Sequence, residues 1–478
     1  MQTRNLIGGE WVGALSGAEF DVVDPATDEV IARAPDCGAA ETARAIEGAA
    51  AAQRAWREVT AGERAAALRA FADLMRRDRD RLGALMTREQ GKPLAEARGE
   101  IDYAASFLEW SGEEAKRLYG ETIPASARDK RILVLRQPVG VACAITPWNF
   151  PSAMITRKLG PALACGCAMV VKPAEDTPLS AIALAELGLE AGLPPALFSV
   201  VTGDAAKIGG AMLAHPLVRA LSFTGSTEVG RVLMRGGSER IVRMSLELGG
   251  HAPFIVFEDA DVDRAVEAAV ANKLRNGGQT CICANRFLVH ESVREAFVSG
   301  LVREMGEIRV GHGVDEASRV GPLINDAAIE KVERHVRDAL EKGATLRCGG
   351  ERVRPGPGLA DRFYAPTVLE GVTGEMLVSR EETFGPVAPV RTFTDEDEAV
   401  SIANDSEYGL AAYFFTRDAS RLMRVAEALE FGVVGANDAL PSTAQAPFGG
   451  VKQSGLGREG GRHGMDEYTE VKYVSWGL

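Results

Sequence analysis

Cysteine is scarce in this chain: seven in 478 residues, an odd number without framework spacing. That excludes a disulfide scaffold and suits a reducing compartment. Histidine is scarcer still. His215, His251, His290, His312, His335 and His463 are scattered without ligand spacing, so no metal centre is expected. No apolar run approaches the roughly 20 residues that a membrane span needs, and the stretch "VGVACAITPWNF" is broken by Pro147. The first residues, "MQTRNLIGGEWVG", lack the apolar segment of a secretory signal, so a cytoplasmic protein is expected. No Lys/Arg-rich run interrupts a net charge of -13, which argues against nucleic acid or an anionic membrane as partner. Internal repeats, low-complexity tracts and long linkers are absent too.

What is present is ordinary globular material, 46% hydrophobic and 25% charged, long enough for two or three domains. Residues 1–36 read as short strands and turns, with Gly8-Gly9 and "DPATDE" as turn signals. From about Ala39 to Arg117 apolar residues recur at three- and four-residue spacing, a helical pattern clearest in "ERAAALRAFADLMRRDRDRLGALM", whose charges read as a solvated face. From Arg131 onward short apolar runs ("VGVACAI", "CAMVVK", "LFSVVTG", "RALSFTG") alternate with helical stretches. That is the signature of βαβ units and a parallel, doubly wound nucleotide-binding sheet. A second α/β series follows Gly249-Gly250, and "DEYTEVKYVSWGL" alternates as a terminal strand.

Several stretches carry chemistry. The only literal G-x-G-x-x-G, Gly455, Gly457 and Gly460, follows "KQS" far from the βαβ series and reads as a glycine-rich connection. "LSFTGSTEVG" is the better phosphate candidate: a strand runs into Gly225-Ser226 and a helix opens behind it, although an ordinary capped turn has the same pattern. "VVKPAED" sets Lys172 and Glu175 at a strand end, where they suit ribose hydroxyls or a surface ion pair. "MSLELGG" sets Glu247 in an apolar run, where a carboxyl has a raised pKa and makes a competent base; a partly exposed strand end is the plainer reading. In "PWNFP" two prolines fix Trp148 and Asn149, and the Asn amide can face an oxyanion; a plain structural turn is the competing reading. "NGGQTCICANR" holds Cys281 behind two glycines, a thiol on a tight turn that a substrate can approach. A metal clip is the wrong reading, since one residue, not two, separates Cys281 from Cys283.

"PWNFP", "VVKPAE", "FTGSTEVG", "LELGG", "GQTC" and "EETFGP" occur in the order seen in the aldehyde dehydrogenase superfamily, and the resemblance spans essentially the whole chain. "ITRK", "NKLRNGGQTCICANR" and "PFGGVKQSGLGREG" resemble the succinate-semialdehyde dehydrogenase branch. The resemblance implies an α/β fold with a Rossmann-like cofactor domain (1–119 and 141–248), a catalytic α/β domain (249–440) and a small β oligomerisation arm (120–140 and 462–478). Residues 441–461 return to the cofactor domain and the substrate entrance. It implies Cys281 as nucleophile, Glu247 as base and Asn149 as oxyanion donor. For the cofactor, NAD favoured over NADP, it implies Trp148, Lys172, Glu175, Gly225, Ser226, Leu248, Glu382 and Phe384. Arg157, Arg275 and Ser442 would hold the carboxylate of a short semialdehyde, most simply succinate semialdehyde, in a homodimer or homotetramer. Glutarate semialdehyde or a broader aldehyde range is the alternative; a cofactor-independent cysteine hydrolase and a non-catalytic scaffold are more distant ones. Cys283 lies two residues from the nucleophile, either as a redox partner through a strained disulfide or as a small core residue.

Overall fold

The computed structural model describes residues 2–478. Four helices, Ala39–Trp56, Ala61–Arg77, Arg79–Gln90 and Leu94–Ala115, follow the short N-terminal strands. Two larger sheets then organise the chain. The first has six strands in the order Gly455–Leu456, Arg243–Glu247, Val218–Thr224, Val141–Ile145, Ala168–Lys172, Phe198–Val200. Helices cover both faces, so strands such as Ala168–Lys172 are buried along their whole length and read as unbroken apolar runs. All pairs are parallel except the outermost, where Gly455–Leu456 runs antiparallel to Arg243–Glu247. The literal G-x-G-x-x-G is therefore an edge strand and a connection. A Cβ on Gly455 would lie 2.1 Å from the Leu246 carbonyl oxygen, which is why glycine stands there.

Register sets the working edge of this sheet. Ile145 pairs with Lys172 and with Phe223, and Thr224 pairs with Glu247. The turns after these strands carry Trp148 and Asn149, Lys172 and Glu175, Gly225 and Ser226, and Glu247 and Leu248 along one carboxyl-end rim, where open α/β sheets take their ligands.

The second sheet has seven strands: Thr345–Cys348, Thr367–Glu370, Val387–Phe393, Ala284–His290, Ala252–Val256, Ala411–Phe415 and Val433–Ala436. It too is parallel except for its outermost pair, at Thr345–Cys348. Each sheet has its own hydrophobic core. The stretch Thr469–Gly477 pairs antiparallel with Lys130–Pro138, and Glu121–Ile123 completes a small three-stranded sheet. Val471, Tyr473 and Trp476 on this sheet are more than half exposed. No helix among the described residues is long and apolar enough to cross a membrane.

Candidate active site

The loop that carries Cys281 starts where the helix Val262–Leu274 stops. Asn276, Gly277 and Gly278 all take positive φ (52°, 62° and 79°), a left-handed run that glycine and asparagine tolerate best. At Gly278 no other residue fits, because a Cβ would stand 2.2 Å from the Gly385 carbonyl oxygen. This run presses the loop of Cys281 against the loop of Glu382 and Phe384.

Cys281 lines two cavities. One is a cleft of about 360 Å³ walled by Trp148, Asn149, Gly225, Ser226, Leu248, Glu382 and Phe384. The other is a chamber of about 20 Å³ walled by Tyr103, Arg157, Arg275, Ser442 and the rings of Phe150 and Phe448. Burial pushes the Cys281 thiol up to about 12, reinforced by the negative charge of Glu382 and opposed by Arg157 and Arg275. The resting thiol is therefore protonated and needs a base or a further cation to become a nucleophile.

Asn149 is fixed from several sides. Its side-chain Nδ2 donates to the Gln279 carbonyl at 3.0 Å. Its own carbonyl accepts from Lys92 Nζ at 2.6 Å and from Asn276 Nδ2 at 3.0 Å. One hydrogen of Nδ2 stays free for a developing oxyanion. Glu247 ends its strand buried, and neither carboxylate oxygen has a hydrogen-bond partner among the described residues. Burial, then the negative charge of Glu459, holds its pKa well above the usual carboxylate range, against the pull of Arg157 and Lys158. The Glu247 side chain lines neither cavity, although its charge acts on the Cys281 thiol.

The cleft meets the requirements of a dinucleotide. Ser226 caps the helix Thr227–Ser238 by accepting from Val229 N at 3.3 Å. A Cβ on Gly225 would strike the Phe223 ring at 2.4 Å, which is why glycine stands beside this helix N-terminus, an end that favours anions. Trp148 and Phe384 meet edge to face at 5.6 Å, and Glu382 accepts from Gly250 N at 3.1 Å. Lys172 and Glu175 stand outside the cleft as an ion pair at 2.6 Å. Glu175 lines an adjoining cavity that shares Ile324 and Asn325 with the cleft.

Arg157, Arg275, Ser442 and Cys281 are brought together by the chamber. Arg275 lies 4.9 Å over the Phe150 ring and makes no ion pair among the described residues. Arg157 is pinned between the Phe448 and Phe107 rings, 4.1 and 5.0 Å away, beside Glu459. Cys283 is buried with a free thiol, its Sγ 3.6 Å from the Lys273 carbonyl oxygen. The core reading of Cys283 describes this reduced state.

Other residues belong to the site without a signal that sequence reasoning caught. Tyr103 joins Ser442 through their hydroxyls at 2.6 Å, and Lys331 lines the cleft beside Glu382. Glu459, inside the "GLGREG" read as a connection, pairs with both Arg157 and Lys158. The acid of that stretch was the clue: a carboxylate among glycines packed behind a catalytic sheet needs buried partners.

Comparison with known proteins shows the family of the chain. The model of the aldehyde dehydrogenase family matches residues 11–474. The chain is 54% identical over 473 residues to an NADP(+) succinate-semialdehyde dehydrogenase, GabD, of Escherichia coli, covering 99% of this chain and 97% of that one. It is 56% identical over 471 residues to a glutarate-semialdehyde dehydrogenase of Pseudomonas aeruginosa, covering 98% and 97%. Among solved structures, a succinate-semialdehyde dehydrogenase from Burkholderia pseudomallei superposes with a TM-score of 0.98 at 55% identity, over 100% of this chain and 98% of that one.

Proposed function

The chain belongs to the aldehyde dehydrogenase family, and we propose that within it the protein oxidises a short semialdehyde bearing a carboxylate. Succinate semialdehyde is the first candidate and glutarate semialdehyde the second. The observation that carries this reading is the position of Cys281 between the two cavities, with Arg157, Arg275 and Ser442 around the smaller one. A substrate carboxylate must be desolvated as the aldehyde nears Cys281, and a guanidinium meets it with two parallel donors. One methylene separates the two substrates, a difference worth only about 1–3 kcal/mol in a pocket.

The chemistry follows from the groups. Cys281 Sγ adds to the aldehyde carbon, and its proton leaves through Glu247 or water. The new oxyanion sits against the free N–H of Asn149 and the Cys281 backbone N–H. Bound in the cleft, NAD(P) supplies the hydride acceptor. Loss of hydride from the tetrahedral carbon leaves a thioester on Cys281. Glu247 then takes a proton from water, the water oxygen adds to the thioester carbon, and the acid leaves as Sγ recovers its proton.

NAD is the favoured acceptor. The Glu175 carboxylate at 2.6 Å neutralises Lys172, Arg362 in the same cavity is paired with Asp28 and Asp326, and Glu175 is itself suited to accept from ribose hydroxyls. The exposed apolar residues of the three-stranded sheet support assembly of the chain with copies of itself. Cys283 is the second thiol of a reversible oxidative off-switch in this reading, reached when its buried turn opens. The test of the substrate class is a kcat/KM series of four- and five-carbon semialdehydes against neutral aldehydes of equal length. Equal values for charged and neutral substrates would refute it.

A further inference from the structure

The turn Gly91-Lys92-Pro93 lies outside both cavities, yet its lysine reaches the catalytic asparagine. Lys92 is among the least exposed residues of the protein, with its side chain and that of Glu100 each 1% exposed. Lys92 Nζ donates at 2.6 Å to Glu100 Oε2 and at 2.6 Å to the Asn149 carbonyl oxygen, and it stands 4.1 Å over the Phe150 ring. Glu100 uses its other oxygen, Oε1, to accept from Ser152 N (2.9 Å) and Ala153 N (3.2 Å), the start of the helix that follows "PWNFP". On the same helix as Glu100, Glu96 accepts from Asn276 N at 2.7 Å, on the left-handed run that carries Cys281. One rigid element thus grips both halves of the catalytic constellation. The turn itself has no slack. Cβ atoms on Gly321 and Gly313 would lie 2.1 Å from the Gly91 carbonyl oxygen and 2.5 Å from that of Lys92.

A buried charge pair is a costly way to hold a fold, and apolar residues of similar volume commonly do so as well or better. A pair whose cation ends on the backbone of the oxyanion donor has a use that apolar packing cannot supply. We propose that Lys92, anchored by Glu100, is a positioning residue for oxyanion stabilisation. It fixes the Asn149 peptide so that the free N–H of Nδ2 points at the oxygen of the tetrahedral adduct on Cys281. This rests on the reading of Asn149 as oxyanion donor.

Lys92→Met alone strands the Glu100 carboxylate, so the informative variant is Lys92→Met with Glu100→Gln, in which the amide oxygen still accepts from Ser152 and Ala153. Hydride transfer is read as NADH formed in a single turnover at saturating NAD, and Cys281 reactivity as the rate of alkylation by iodoacetamide, a displacement that builds no oxyanion. The expected result is a single-turnover rate lower by roughly tenfold or more, since small misplacements of a catalytic group cost that much. Alkylation and the KM for NAD should stay within about twofold, and in an Asn149→Ala background the pair substitution should cost no more than about twofold further. Losses that multiply in the combined variant, or alkylation that falls as far as turnover, would overturn the proposal and leave Lys92 as a support of the fold. Should the pair variant not fold, Lys92→Arg carries the same test, because the larger guanidinium cannot keep both bonds without moving Asn149. Full single-turnover activity in Asn149→Ala would instead overturn the reading of Asn149 on which the proposal rests.

Discussion

Arg157 Nε lies 3.1 Å from Glu459 Oε2, with both side chains almost wholly withdrawn from solvent, at 2% and 5% exposure. Lys158 pairs with the other oxygen of the same carboxylate and donates to Thr224 Oγ1 at 2.6 Å. Two cations therefore share one anion behind the substrate chamber. Arg157 Nη2 is buried with no hydrogen-bond partner among the described residues, and Arg157 lines that chamber. The two arginines named from the sequence are thus not equivalent. Both oppose the rise of the Cys281 pKa, but Arg157 also lowers the pKa of Glu247 and belongs to a buried charge cluster with Glu459, while Arg275 is free of ion pairs among the described residues.

The distinction has a measurable form. Arg275→Ala should lower kcat/KM for succinate semialdehyde by roughly 30-fold or more and leave butanal nearly unchanged. Arg157→Ala should lower both substrates, because it removes a cation that favours the ionised form of Glu247 and breaks the buried cluster with Glu459. Steady-state kinetics of the two variants on both substrates decides this. Equal losses on both substrates in both variants would mean that neither arginine reads the carboxylate.

Glu247 has a raised pKa, so its basic form disappears as pH falls, at a pH above the ordinary carboxylate range. The thiol of Cys281, pushed up to about 12, shifts in the same sense, with its reactive form growing as pH rises. Turnover should therefore climb from mildly acid to alkaline pH. Glu247→Gln should lose about 10²- to 10⁴-fold in steady-state turnover while keeping a stoichiometric burst of NADH, since the thioester forms but is not hydrolysed. A burst lost together with turnover would place Glu247 in acylation instead.

Removing the acid beside Lys172 frees that cation. Glu175→Gln should raise kcat/KM with NADP relative to NAD by roughly tenfold, a shift near 1.4 kcal/mol. Paired assays of the wild-type protein come first, and a preference for NADP of tenfold or more there would end the case for NAD.

Peroxide inactivation followed by dithiothreitol probes the two thiols of the nucleophile turn. If Cys283 is the redox partner of Cys281, activity returns in the wild type and not in Cys283→Ala, where the sulfenate on Cys281 has no neighbour and oxidises further. Equal recovery in both assigns Cys283 to the core alone, where its reduced thiol lies.

Much of this was legible in the sequence, for physical reasons. Strands buried on both faces leave apolar runs, and the rim of the first sheet carries its functional groups in the turns directly after those runs, so Asn149, Lys172, Gly225 and Glu247 could be read in order. The turn before Cys281 was marked by glycines that a left-handed run demands. The supporting layer was not legible. Glu96 and Glu100 sit on the helix Leu94–Ala115 at ordinary amphipathic spacing, and only the tertiary contacts with the segment after "PWNFP" and with the Cys281 loop give them partners. The antiparallel edge strands were missed because two-residue and four-residue segments carry too little pattern to orient.

The account turns on Cys281 serving both cavities at once. Its most direct test is the absorbance at 340 nm of the purified protein with NAD and succinate semialdehyde, set beside butanal and beside Cys281→Ser. The expected result is a steady rise in absorbance with the semialdehyde, a kcat/KM at least roughly tenfold below it with butanal, and none with Cys281→Ser. No rise with any semialdehyde and either cofactor, or an undiminished rise in Cys281→Ser, would contradict it.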